Sequence, residues 1–197
     1  MRWQAAVVRF FEQFPPPDRD EAEPEEQPPP LWAKPAAALG AAVPAEFVLA
    51  RGGEAAVGLS GLAAYPNGFT FTVTAVLRKE DRRGRVFRLG FHRDYFDDEP
   101  LSDEFLRLGV QFADGSAATN LGRTVLPPDA EPAAPLLMQD GGGGGGRRYD
   151  MGYWVWPLPP SGPVTFVCEW PAYGIPETRI VVEGGLILAA AERAITL

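Results

Sequence analysis

The residues able to do chemistry in this chain are few and far apart. His92 is the only histidine and Cys168 the only cysteine. One imidazole and one thiol cannot make a zinc site, which needs three or four such ligands. A nucleophilic triad needs a base that is itself oriented by a third group. Nothing in the spacing sets His92 beside a serine or beside Cys168. The carboxylates Asp94, Asp97, Asp98 and Glu99 are hard oxygen ligands of the kind calcium takes, but the spacing and central glycine of an EF-hand loop are absent. They read as a solvated acidic loop. No carboxylate pair stands out for glycoside hydrolysis. The leading reading is therefore a non-enzyme with no catalytic residue, no metal and no cofactor; a small-ligand or carbohydrate-binding domain is the alternative and an enzyme of unassigned type the third.

Two further features could bind rather than react. Gly141–Gly146 is an unbroken run of six glycines followed by Arg147-Arg148. It satisfies a G-x-G-x-x-G expression trivially, but a dinucleotide site needs a helix opening at the glycines, and a Tyr- and Trp-rich strand follows instead. Either the run is a disordered spacer, or another backbone or a ligand packs against it at close range. Trp154 and Trp156 share one face of the strand that follows. With Gly143 and Gly144 they form the candidate ligand-binding set, a flat platform for a small ligand or sugar. The alternative for both tryptophans is core packing.

The third feature is Trp3, Val7, Phe10, Phe11 and Phe14, at i, i+4, i+7, i+8 and i+11. That spacing predicts an amphipathic helix over residues 1–14 with one apolar stripe. A helix this short is marginal alone in water, so it needs a surface to dock on: its own domain, a second copy, a partner or a membrane surface. These five residues are the candidate partner-docking set. Residues 15–30 hold seven prolines and six acids against one arginine, which predicts a disordered, self-repelling linker. The net charge is −8 and that linker supplies −5, leaving −3 for residues elsewhere. Phosphate binding needs a basic face, so nucleic acid is not the expected partner. The acidic linker also argues against a membrane surface. Another protein, met through the helix or the domain surface, is the expected partner.

The elements that would position these residues read as strands. Phe69, Phe71, Val73, Ala75 and Leu77 alternate with Thr70, Thr72 and Thr74, the mark of a strand with one solvated face. Val164, Phe166, Cys168 and Trp170 do the same, as do Leu106, Leu108, Val110 and Phe112. From Val57 the period of two puts Val57, Leu59, Ala63 and Tyr65 on one side. Pro66-Asn67-Gly68 and Asp114-Gly115 predict hairpin turns, the first using the positive φ that Asn-Gly supplies. Lys79–Glu104 breaks the pattern: the alternation Val86–His92 reads as an irregular strand and the rest as a long loop. Leu136–Met138, Tyr153–Leu158 and Glu177–Val182 complete eight or nine short strands, and residues 186–197 read as a helix with Ile187, Leu188, Ala191 and Ile195 on one side.

These signals predict a mostly β fold over residues 31–197, an antiparallel β-sandwich, immunoglobulin-like or jelly-roll-like, with a short C-terminal helix. The stretches LGVQFADGSAATNLG (108–122), GGGGGGRRYDMGYWVWPLPPSGP (141–163) and TFVCEWPAYGIPETR (165–179) resemble a bacterial protein family with no assigned activity, and PNGF (66–69) and LWAKP (31–35) fit it too. The resemblance covers residues 31–197 and implies the sandwich fold; it implies no cofactor and no site residue. Residues 1–14 lie outside it. A single cysteine, no signal-peptide pattern and no apolar run long enough to span a bilayer predict a cytoplasmic protein.

Overall fold

The computed structural model describes residues 29–82, 84, 86, 90–91, 101–122, 126 and 132–197. The helix expected over 1–14, the linker up to residue 28, and the acidic cluster with His92 lie outside them. Among the described residues the chain is mostly β, with antiparallel sheets and one short helix. The strands are β1 (Ala38–Leu39), β2 (Ala41–Ala42), β3 (Phe47–Arg51), β4 (Ala55–Tyr65), β5 (Gly68–Asp81), β6 (Arg107–Gln111), β7 (Ala117–Thr119), β8 (Leu136–Trp156), β9 (Pro163–Trp170), β10 (Ile175–Glu183) and β11 (Ile195–Thr196). The helix α1 spans Gly184–Ala191.

One sheet runs β2-β4-β5-β8 with β3 also paired to β4; a second runs β10-β9-β6-β7; β1 and β11 form a separate two-stranded ribbon. The alternating residues of β5 and β9 are buried as the sequence predicts, and they belong to one apolar cluster that both sheets share. Phe71 of β5 meets Phe166 of β9 edge-on at 5.2 Å, and Phe47 of β3 lies 6.0 Å from the same ring. Phe71 and Phe166, both buried, each stabilise the fold by about 1.5–3 kcal/mol, while Phe47 is only partly buried. No helix among the described residues is long and apolar enough to cross a membrane.

Three local expectations are corrected. In β4 the register shifts between Ser60 and Ala63, where Gly61 takes a φ of 61°. This bulge moves burial by one position, so Leu62 and Ala64 point inward and Ala63 and Tyr65 do not. At the following turn Tyr65 pairs with Gly68, leaving Pro66-Asn67 as the loop. Neither Asn67 nor Gly68 has a positive φ. Gly68 is required for space instead: a Cβ there would sit 2.6 Å from the Trp154 ring. The C-terminal helix starts at Gly184 rather than 186 and stops at Ala191. Ile187 is buried, but Ile195 leaves the helix direction and pairs with Leu39, 57% exposed.

Candidate functional site

The best-defined polar construction lies where the chain enters the fold at residues 31–34. The hairpin joining β4 to β5 carries Asn67, whose side-chain amide donates to the carbonyl oxygens of Leu31 and Ala33, each at 2.9 Å. The indole N–H of Trp154 donates to the carbonyl oxygen of Trp32 at 2.9 Å. Lys34 forms an ion pair with Asp140 at 2.6 Å and sits 5.5 Å from the centre of the Tyr65 ring. Burial pushes the Lys34 ammonium down, but the hydrogen bond and the charge of Asp140 outweigh it and hold it above its ordinary value. Tyr65 in turn meets Trp154 edge-on at 5.7 Å. Three backbone carbonyls and one ammonium thus fix a four-residue stretch with almost no secondary structure of its own.

This arrangement settles where Trp154 and Trp156 stand. Trp154 is 2% exposed, on the sheet face opposite Tyr153 and Val155, and the entering segment covers it. Trp156 is half-buried. Trp154 offers no open stacking platform, and the apolar LWAKP segment is the signal that explains why.

The glycine run is strand, not spacer. It lies within β8, and the two arms of β8 run back along each other, with Gly142 against Asp150 and Gly152 against Asp140. A Cβ on Gly142 would meet the Asp150 carbonyl at 2.6 Å, and one on Gly152 the Asp140 carbonyl at 2.7 Å. Gly144 faces Arg148 and Tyr149 in the same way. Gly141, Gly142, Gly144 and Gly146 all take positive φ. Of the two readings of the run, close approach by another backbone is the one observed, and the backbone is the chain's own. Gly143 is half-buried and Gly144 exposed near the end of this hairpin. Trp154 lies five residues beyond Tyr149 on an extended strand, roughly 17 Å away. The candidate glycines and tryptophans do not form one site.

Two concavities are lined by described residues. A cleft of about 370 Å³ is lined by Glu54, Lys79, Glu80, Asp81, Glu104 and Tyr173 over a floor of Leu77 and Val86. Beside it Asp81 accepts hydrogen bonds from the Tyr149 hydroxyl at 3.0 Å and the Val86 N–H at 2.8 Å. A groove of about 290 Å³ crosses the outer face of the second sheet, with Gly109 and Val167 at its floor. Its charged side chains are already paired: Arg107 with Glu169 at 2.5 Å, Arg179 with Glu177 at 2.9 Å.

Neither concavity holds a nucleophile with a base. Cys168 is fully buried, and burial, then the Glu169 charge, push its thiol up to about 12, so no thiolate is available near neutral pH. Tyr153 is also buried, which raises its phenol despite a hydrogen bond with Asn120. No group of three His, Cys, Asp or Glu side chains is placed to hold a metal ion among the described residues. His92, Asp94, Asp97, Asp98 and Glu99 lie outside them, as do Trp3, Val7, Phe10, Phe11 and Phe14. Sequence reasoning missed Asn67, Lys34 and Asp140. Asn67 was visible only as a turn residue, and 106 residues separate the ion pair. The chain matches no family model, no curated protein and no solved structure.

Proposed function

We propose that this protein is a non-enzymatic interaction module whose N-terminal arm recruits another protein. Residues 31–197 serve as the scaffold, built as a two-layer β-sandwich around the core that both sheets share. Residues 1–14 carry the docking stripe Trp3, Val7, Phe10, Phe11 and Phe14, and residues 15–30 are its tether.

The observation that carries this reading is the anchor. Three carbonyls of residues 31–33 and the Lys34 ammonium are held by Asn67, Trp154 and Asp140. An anchor fixed at that point gives a tethered arm a defined origin, and a defined origin sets its effective concentration at a nearby site. A buried, unreactive Cys168 suits a reducing, cytoplasmic setting.

The test is a quantitative pull-down from native cell extract. The baits are the full chain, the chain starting at Leu31, and the full chain with Phe10→Asp and Phe11→Asp. One protein enriched by the full chain alone is the expected result. Equal enrichment by all three baits, or enrichment by none, overturns the reading.

A further inference from the structure

The β1–β11 ribbon stands outside both main sheets and presents an apolar face that no described residue covers. Leu39 and Ile195 are direct cross-strand partners, 62% and 57% exposed. Exposed strand pairs are ordinarily guarded by charge. Arg193 lies beside the ribbon, donating to the carbonyls of Ala189 and Ala42 at 2.8 and 3.1 Å. No carboxylate among the described residues pairs with it.

The ribbon is also close to the anchor. The chain leaves β1 through Gly40, where a Cβ would lie 2.7 Å from the Tyr65 ring, and that ring carries Lys34 and packs on Trp154. Leu31 and Leu39 are eight residues apart, at most about 28 Å even if fully extended. Sixteen tether residues reach about 50 Å as polyproline II. The tether is therefore more than long enough to bring residues 1–14 back to the ribbon of the same molecule.

We propose that residues 1–14 seat in cis on the apolar face of the β1–β11 ribbon, with the acidic tether passing Arg193. The matching is chemical on both counts: an apolar stripe for Leu39 and Ile195, and six carboxylates for a guanidinium that bonds two carbonyls but no carboxylate among the described residues. This goes beyond the recruitment reading, because a partner must then displace the arm from its seat. Intramolecular tethering favours the seat at the millimolar effective concentrations of short linkers.

The experiment uses purified full chain and no partner. Phe10→Cys is combined with Leu39→Cys, or with Val181→Cys as the control, and each variant is treated with a short bismaleimide. Leu39 and Val181 are both exposed, so neither substitution enters the core, and native Cys168 is buried. The expected result is intramolecular product at position 39 on the order of tenfold above position 181, the ratio that about 1.4 kcal/mol of docking produces. Adding Ile195→Asp and Arg193→Glu should bring it to the control level. Equal product at 39 and 181 overturns the proposal, and so does a product that is mainly crosslinked dimer. Crosslinking without partner capture would remove the recruitment function and leave the seat. Capture without crosslinking would do the reverse.

Discussion

The indole of Trp154 and the backbone of Trp32 are joined by a 2.9 Å hydrogen bond across 122 residues of chain. Trp154 is thereby turned from a surface platform into the floor of a socket, and the chain entering at Trp32 becomes its lid. Asn67 holds the two flanking carbonyls from the neighbouring hairpin. The packing of one side chain thus fixes the segment of residues 31–34 against the first sheet.

Asn67→Ala should release that segment. Two carbonyls lose their donor, and each such hydrogen bond contributes about 0.5–1.5 kcal/mol net. Stability from urea unfolding should fall by about 1–2 kcal/mol, and exchange of the Ala33 amide, which donates to the Pro30 carbonyl at 2.9 Å, should quicken on the order of tenfold. Unchanged exchange at this amide would show that Asn67 does not hold the anchor.

The glycine run should divide into two classes. Gly144 has a φ of 153° and faces the Arg148 backbone, whereas Gly145 has open space around it and no positive φ. Gly144→Ala should cost about 1–3 kcal/mol through strain. Gly145→Ala should be neutral, or stabilise by about 0.4–1 kcal/mol by restricting the unfolded chain. Thermal melts of the two variants decide it, and equal shifts would mean that the run is not held as a close hairpin.

The legible parts of this chain are those where burial is one-sided. Phe69–Leu77 and Val164–Trp170 alternate because one face meets the shared core and the other does not, and both appear as strands with that polarity. The period of two fails in β4 because a bulge at Gly61 inverts it, and a lone glycine does not announce a bulge. The glycine run is illegible for the opposite reason: glycine permits disorder and tight pairing equally, and the choice depends on Asp150 and Met151 opposite. The β1–β11 ribbon joins two-residue strands from the two ends of the domain, too short to carry any pattern. At the anchor, LWAKP was visible as apolar, but its partners Asn67, Asp140 and Trp154 are distant in sequence.

Tyr149 should make stability fall in alkali. Its ring is 1% exposed, and burial, the hydrogen bond to Asp81 and the Asp81 charge push its phenol up to about 12. The unfolded phenol titrates near 10. A raised folded pKa means stability fully present below about pH 10 and lost as pH rises through about 12. Tyr149→Phe removes that loss, so wild type and variant should converge in urea stability between pH 9 and 12. A constant gap across that range would mean that Tyr149 ionises as an ordinary surface phenol.

Cys168 should report global opening. Its sulfur lies between Phe166 and Trp170 on β9 with no exposed surface, and its thiol is raised to about 12. Disulfide exchange needs the thiolate and access to it, and the folded protein supplies neither near pH 8. A thiol reagent such as DTNB should therefore react only through molecules that have opened. The rate should rise with urea along the unfolding curve and fall to near zero in buffer. Because the unfolded thiol titrates near 8.5, the opened fraction reacts readily, so a slow rate in buffer reflects closure and not poor chemistry. Cys168→Ala should abolish labelling and cost about 1–2 kcal/mol for the small cavity it leaves. Rapid stoichiometric labelling of the native chain would place Cys168 at the surface and break the packing of β9 against the first sheet.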